Sequence, residues 1–177
     1  MGVTGASDPA PRLRRANDHD AETIRELVAA AYEHYTTLIG RTPLPMLTDY
    51  AVAVREHEVW VLETADAIVS MLELVPHDDH LWIDNVAASP SQGRGFGRLL
   101  LAYADDEARS RDLPELRLLT NERYLAYVMY TWYGYRESHR EPHLCTDLVY
   151  FAKSLHQADT STRFERGSID GVAQSTR

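Results

Sequence analysis

Apolar side chains recur along this chain with two different spacings, and each spacing predicts one type of element. Ile24, Leu27, Val28 and Ala31 lie at positions i, i+3, i+4 and i+7, which is the apolar stripe of an amphipathic helix. Between residues 80 and 87, large apolar and polar side chains alternate instead, which is typical of a β-strand. The chain therefore combines helices and strands.

The same two patterns divide most of the chain into predicted elements. Strands are predicted at residues 12–16, 59–63, 67–75, 80–87, 115–119, 136–140 and 146–153. Helices are predicted from the caps at 17–20 to about Tyr35, over 48–56, from Phe96 to the break at 112–114, and over 122–133. Strands two to four form an antiparallel meander, and the helix crossover makes strand five parallel to strand four. This order predicts a single α/β (α+β) domain, with a mixed, mostly antiparallel central sheet of about seven strands flanked by about four helices.

The two ends of the chain differ in composition from the part between them. Residues 1–10 are small and polar, with proline and glycine, and residues 154–177 are rich in Ser, Thr, Asp and Gly. Such segments cannot bury enough apolar surface to offset the entropy of ordering. We expect both ends to be disordered and the folded domain to span residues 11–153.

Composition narrows the classes of function. The 177 residues carry a formal net charge of −9, which argues against a nucleic-acid partner and favours cationic ones such as amines. Cys145 is the single cysteine, so neither an internal disulfide nor a cysteine-based metal cluster is expected. No apolar run has the length of a membrane span or of a signal peptide core. We therefore expect no membrane partner and a cytoplasmic location.

One six-residue run, Gln92-Gly93-Arg94-Gly95-Phe96-Gly97, opens the third predicted helix. Glycines let the backbone point its N–H groups into one concavity, and the helix N-terminus adds unpaired donors and partial positive charge. Together these groups suit a phosphate, with Arg94 and Arg98 beside it. An ordinary tight turn is the alternative. The P-loop is excluded because no lysine follows the glycines, and the Rossmann fingerprint because only one residue separates Gly95 from Gly97.

This run, together with Asn85-Val-Ala-Ala-Ser-Pro before it, resembles the acetyl-coenzyme A signature of the GNAT superfamily of N-acyltransferases. The family pattern is Gln or Arg, two residues, Gly, one residue, then Gly or Ala. A second segment is also similar to the family, because a strand ends in Thr-Asn at Asn121 and Tyr130 lies four residues before Gly134-Tyr135. The order of the elements is also that of the GNAT fold, and the resemblance covers about residues 13–153.

The resemblance implies an N-acetyltransferase that uses acetyl-CoA as its cosubstrate. The phosphates would be held by the backbone of residues 92–97 and by Arg98. The pantetheine arm would pair like an added strand with the edge formed by Val86, Ala87 and Ala88, where a backbone N–H would polarise the thioester carbonyl. Asn121 would either cap the next helix or bind the coenzyme.

Acetyl transfer to an amine also needs a proton acceptor and a proton donor. Tyr130 is the candidate acid for the leaving thiolate, with an aromatic packing role as the alternative. Asp84 lies two residues before Val86 and is expected to share its face, and Glu73 lies on the neighbouring strand; either could serve as base, directly or through water. Both could also be charges on the polar side of a half-buried strand. No metal site is predicted, because the histidines and aspartates at residues 77–80 suit a solvated hairpin loop.

The sequence predicts direct attack in a ternary complex, because Cys145 lies in no nucleophile motif. The acceptor amine is left open, and so is the oligomeric state, a homodimer included. Residues 39–45 and 139–145 are expected to form the acceptor pocket. Two alternatives remain: a CoA-binding sensor or regulatory module with little turnover, and a nucleotide-binding domain.

Overall fold

A computed structural model describes residues 11–65, 67–90, 95–144 and 146–155. The seven strands are β1 (Arg12–Arg15), β2 (Glu58–Glu63), β3 (Ile68–Pro76), β4 (Leu81–Ala88), β5 (Glu115–Asn121), β6 (Arg136–His143) and β7 (Thr146–Ser154). The four α-helices are α1 (Ala21–Ile39), α2 (Tyr50–Glu56), α3 (Phe96–Ser110) and α4 (Leu125–Trp132). Gln92, Gly93, Arg94 and Cys145, which the sequence singled out, lie outside the described residues, as do residues 1–10 and 156–177.

The seven strands form one sheet in the order β1-β2-β3-β4-β5-β7-β6. Within the described residues, β4 and β5 are the parallel pair and the other neighbours run antiparallel. This arrangement confirms the predicted mixed, mostly antiparallel sheet with its flanking helices. The parallel pair follows from the helical crossover through α3.

Some element boundaries differ from those predicted. Helix α1 continues to Ile39, four residues beyond Tyr35, and ends where Gly40 adopts a left-handed φ of 71°, the conformation that glycine provides at a helix C-terminus. Helix α4 begins at Leu125 rather than at residue 122, because the preceding residues form a turn. Strand β7 includes Ser154, which the sequence assigned to the tail, because that residue still pairs with Glu115.

Apolar side chains cover both faces of the sheet and form two clusters. One cluster packs α1 and α2 against β2, β3 and β4, with Ile24, Val61 and Met71 at its centre. The other packs α3 against the opposite face, where Leu72, Leu100 and Leu118 are buried. Since both faces are covered, side chains that alternate along β3 and β4 enter two different environments.

Strands β4 and β5 pair over a short distance only. The register joins Leu81–Ile83 to Leu116–Leu118, and β5 then continues to Asn121 with β7 as its partner. The part of β4 from Asp84 to Ala88 keeps β3 as its neighbour but has no β5 partner. The two strands therefore separate at their carboxyl ends, and the sheet has an opening there.

Candidate active site

A cavity of about 570 Å³ occupies the opening between β4 and β5. Its walls are the unpaired part of β4, the end of β5, the inner sides of α1 and α4, and the start of α3. The lining includes residues 82–88, 119–121 and 124–126, together with Tyr32, Tyr35, Arg41, Gly97, Met129, Tyr130 and Tyr133. It is thus built by segments that are distant in sequence, and a volume of this size suits a small-molecule ligand.

The edge of β4 offers main-chain groups to this cavity. The N–H of Ser89 donates to Val69 O at 2.8 Å, so the main-chain groups of Ser89 point toward β3. In an antiparallel ladder, residues whose main-chain groups point toward one neighbouring strand alternate with residues whose groups point away from it. The main-chain groups of Ala87, opposite Met71, therefore face β3, whereas those of Val86 and Ala88 face the opening. Of the three residues that the sequence named on this edge, Val86 and Ala88 present their backbone to the opening.

The start of α3 has the geometry expected of a glycine-rich helix start. Gly95 is the N-cap, with a left-handed φ of 74° and no side chain to cap the first N–H groups. Phe96 is buried in the core. Gly97 lines the cavity, and a Cβ added there would have no atom of the described residues within 4 Å. Arg98 is exposed and forms no ion pair within the described residues, so its guanidinium is available to an anion beside the helix N-terminus.

Asn121 is buried at the end of β5 and lines the cavity, but both ends of its amide have partners. Its Nδ2 donates to Thr146 Oγ1 at 2.7 Å, and its Oδ1 accepts from the N–H of Arg123 at 3.0 Å. The N-cap of α4 is Tyr124, and within the described residues its side chain makes no capping hydrogen bond. Asn121 therefore closes the turn before α4 and ties β5 to the start of β7, rather than capping the helix itself.

Tyr130 projects from α4 into the cavity wall and is 7% exposed. Its ring packs against Tyr135 and Phe151, with centroid distances of 5.6 and 6.0 Å. Burial raises the pKa of the phenol well above its usual value, so the hydroxyl stays protonated across the ordinary pH range. A buried, protonated phenol at a cavity wall can donate a proton or a hydrogen bond.

Asp84 is exposed and lines the cavity, but it does not share the face of Val86, and that prediction is wrong. The register between β3 and β4 shifts between Glu73 and Leu74, which pair with Asn85 and Ile83 and leave Asp84 as an extra residue. Such a bulge breaks the alternation of side chains. Val86 packs with the α3 cluster, whereas the charge of Asp84 acts on Glu73, on the α1–α2 side.

Glu73 is 1% exposed and is not among the residues that line the cavity. Its Oε1 lies 2.6 Å from His57 Nδ1, and its Oε2 has no partner within the described residues. Burial raises the pKa of Glu73, the hydrogen bond with His57 opposes this rise, and the Asp84 charge adds to it. The structure therefore does not bring the two carboxylates named from the sequence together at the cavity: Asp84 reaches it, and Glu73 lies behind the wall.

A chain of hydrogen bonds that the sequence did not predict joins α1 and α2 to the bulge. Tyr32 Oη donates to Asn85 Oδ1 at 2.9 Å, and Asn85 Nδ2 donates to Tyr50 Oη at 3.0 Å. Tyr50 Oη in turn donates to Pro45 O at 2.9 Å. These bonds join the loop after α1 to the wall of the cavity. No local pattern signals them, because the partners are 5 to 53 residues apart.

Two findings concern the described residues as a whole. None of the helices in this part of the chain is long and apolar enough to cross a membrane. Within the same residues, no group of three or more His, Cys, Asp or Glu side chains is placed to hold a metal ion.

The family model of the acetyltransferase (GNAT) family matches residues 21–135. This match covers α1 to the end of α4, including both sides of the cavity. A search of curated proteins found no match for the chain.

Many solved structures share the fold. The ribosomal-protein-S18-alanine N-acetyltransferase from Escherichia coli superposes with a TM-score of 0.67 at 17% identity, over 87% of this chain and 99% of that one. The PaiA N-acetyltransferase from Thermoplasma acidophilum, in complex with coenzyme A, gives 0.67 at 13% identity, over 82% and 99%. The yncA protein from Salmonella typhimurium, with acetyl-CoA as cofactor, gives 0.64 at 20% identity, over 84% and 96%. At these identities the likeness establishes the fold.

Proposed function

The chain belongs to the acetyltransferase (GNAT) family, and we propose that it transfers the acetyl group of acetyl-CoA to a primary amine by direct attack in a ternary complex. The observation that carries the proposal is the opening between β4 and β5, which combines an unpaired strand edge, a glycine-initiated helix and a buried phenol around one cavity. The proposed catalytic domain comprises residues 11–153, as predicted from the sequence, together with Ser154 at the end of β7.

The coenzyme is proposed to enter through this opening. Its pantetheine arm would pair with the main chain of Val86 and Ala88, in the way an added strand does, and one N–H of that edge would polarise the thioester carbonyl. Its phosphates would lie at the start of α3, against the N–H groups of Phe96 and Gly97 and beside Arg98. Gln92, Gly93 and Arg94 remain proposed phosphate ligands on the sequence motif alone, and Asn121 is proposed to position the turn before α4.

Tyr130 is proposed to protonate the thiolate that leaves when the amide bond forms. Its position in the cavity wall and the raised pKa of its phenol support this role, because a proton donor must be protonated at the working pH. Tyr124 and Tyr133 also line the cavity and are proposed to shape the wall.

Asp84 is proposed as the group that takes a proton from the attacking amine, because its carboxylate is exposed in the cavity. An amine with a pKa near that of lysine, about 10.4, must lose a proton before it can attack. Glu73 is proposed to act indirectly, because it lies behind the wall and contacts His57, whose side chain is 36% exposed. A proton could pass from the cavity to solvent along this pair through intervening water.

The reaction is proposed to proceed without an acyl-enzyme intermediate. Cys145 is the only thiol in the chain, so Cys145→Ala should keep full activity, and initial-rate plots should intersect rather than run parallel. Parallel lines, or an acetylated protein detected by mass spectrometry, would contradict direct attack.

The test of the proposed function has two parts. Calorimetry should detect binding of acetyl-CoA, and a screen of primary amines should find at least one that releases free CoA. Tight coenzyme binding without CoA release from any amine would instead identify a sensor module. A cytoplasmic location remains a prediction from the sequence. The oligomeric state, a homodimer included, was left open by the sequence, and light scattering would determine it.

A further inference from the structure

Arg41 is a half-buried cation in the cavity wall that has no partner among the described residues. It follows the C-cap of α1 and lines the cavity. Within the described residues, no carboxylate lies within 4 Å of its guanidinium and no hydrogen bond involves it. Several other arginines of the chain form ion pairs with carboxylates at 3.1 Å or less: Arg14, Arg25, Arg111, Arg117 and Arg140. A partly desolvated guanidinium without a carboxylate partner from the described residues is unfavourable by itself and suits an anionic ligand.

Asp84 is the complementary charge on another wall. Its carboxylate accepts a hydrogen bond from Trp82 Nε1 at 3.1 Å, and no cation pairs with it within the described part of the chain. The residues lining the cavity therefore include one cation and one anion, Arg41 and Asp84, and neither neutralises the other. A ligand that carries both signs of charge would satisfy both groups.

Three tyrosines supply the apolar surface of the same region. The rings of Tyr35 and Tyr124 have centroids 4.3 Å apart, and those of Tyr32 and Tyr124 lie 5.7 Å apart in an edge-to-face arrangement. Arg41 lies close to this cluster, since its charge opposes the effect of burial, which raises the pKa of Tyr124 to about 12. A hydrogen bond fixes the position of Tyr35, because its hydroxyl accepts from the N–H of Leu125 at 3.1 Å.

We propose that the acceptor is a primary amine that also carries a carboxylate and a ring-bearing apolar body. The carboxylate would pair with Arg41, the body would pack on Tyr32, Tyr35 and Tyr124, and the amine would be directed to Asp84. A guanidinium binds a carboxylate through two parallel hydrogen bonds, and tyrosine faces pack well against rings. This inference rests on the proposed amine acetylation and specifies its substrate class. A free aromatic amino acid and a short peptide with an aromatic residue share this chemistry.

The test uses a matched set of acceptors with the full-length protein. Phenylalanine and the dipeptide Phe-Gly carry the amine, the ring and the carboxylate, whereas phenethylamine and phenylalanine amide lack the carboxylate. Release of CoA is followed with a thiol-reactive dye. Wild type should use one of the carboxylated acceptors with a kcat/KM at least about tenfold higher than that of the acceptors without a carboxylate, the size expected for one charge-assisted hydrogen bond. Comparison of Phe with Phe-Gly distinguishes a free amino acid from a peptide.

The variant Arg41→Gln should remove that preference by lowering kcat/KM for the carboxylated acceptor to the level of the acceptor without a carboxylate. Its dissociation constant for acetyl-CoA should stay at the wild-type value. Arg136→Gln is the matched control, because Arg136 is exposed at the start of β6, does not line the cavity and forms no ion pair within the described residues. This control should keep the wild-type preference.

Three results would overturn the inference, and they are distinguishable from one another. The first is that wild type uses phenethylamine or a polyamine at least as well as the carboxylated acceptors. The second is that Arg41→Gln weakens the binding of acetyl-CoA, which would assign the guanidinium to the coenzyme. If wild type binds acetyl-CoA but releases CoA with no amine at all, the proposed function fails together with this inference.

Discussion

Gly97 should separate the stability of the fold from the binding of coenzyme. It lies in the first turn of α3 and lines the cavity, and an added Cβ would meet no atom of the described residues within 4 Å. A side chain at this position therefore meets no packing conflict with the described part of the chain. In the ligand complex it would occupy the space proposed for the phosphates and the adjoining pantetheine.

Substitutions of Gly97 are expected to raise the stability of the fold and to lower the affinity for acetyl-CoA. Replacing glycine within a helix stabilises it by up to about 1 kcal/mol, and a gain of that size raises the melting temperature of a chain this long by roughly 2–4 °C. We therefore expect Gly97→Ala and Gly97→Leu to melt at or above the wild-type temperature. Gly97→Leu should weaken acetyl-CoA binding by at least about tenfold, or 1.4 kcal/mol, and Gly97→Ala by less.

Thermal melts and titration calorimetry measure the two effects on the same samples. Leu99→Gln is the control, because Leu99 lies on the same helix, is 51% exposed and does not line the cavity; it should bind coenzyme normally. Gly95→Ala provides the contrast, since its φ of 74° should cost about 1–2 kcal/mol of strain in any other residue. A folded Gly97→Leu protein with wild-type affinity would refute the placement of the coenzyme at the start of α3.

Four other predictions test the proposed chemistry and the turn beside it. Tyr130→Phe should lower kcat by roughly 10²-fold or more with unchanged acetyl-CoA affinity; an unchanged kcat would exclude it as the acid. Asp84→Asn should reduce kcat/KM more than Glu73→Gln does, and the reverse order would make the buried carboxylate the principal base. Burial raises the pKa of Glu73 in the folded state above its usual value of 4.5. Between the unfolded and the folded pKa of this carboxyl group, the folded state therefore binds more protons than the unfolded state. The unfolding free energy of wild type relative to Glu73→Gln should therefore fall as pH rises above about 4.5, and urea titrations from pH 4 to 8 that show a constant difference would contradict this. Asn121→Ala leaves the buried hydroxyl of Thr146 without its partner, so urea unfolding should show a loss of about 1–3 kcal/mol, and no loss would mean that the turn is held by other contacts.

Local patterns predicted the elements themselves and most of their order. The apolar stripe of α1, the alternation along β4 and the glycines before α3 each depend on neighbours within a few residues, so the sequence contains them directly. The resemblance of the same segments to a known family then pointed to coenzyme A, and the family match supports that assignment. The end of α1 was predicted four residues too early, at Tyr35. The helix continues to Ile39 and ends where Gly40 adopts a left-handed φ.

The placement of the two candidate bases illustrates what local patterns miss. Period-two alternation put Asp84 on the face of Val86, but one extra residue in the β3–β4 register moved it to the other side. Glu73 looked equivalent to Asp84 in sequence, yet the packing of α1 and α2 buries it against His57. Both outcomes depend on pairing between strands and on the helices that cover them.

The sequence by itself determined the order of strands and helices, the glycine-initiated α3 and the phenol at position 130, because each follows from residues close together in the chain. Tertiary structure alone decided that β4 and β5 separate after Ile83, that Asp84 reaches the cavity while Glu73 does not, and that Arg41 lines the cavity without a carboxylate partner among the described residues. The physical reason is that register, burial and charge compensation are set by partners that are distant along the chain and become neighbours only after folding.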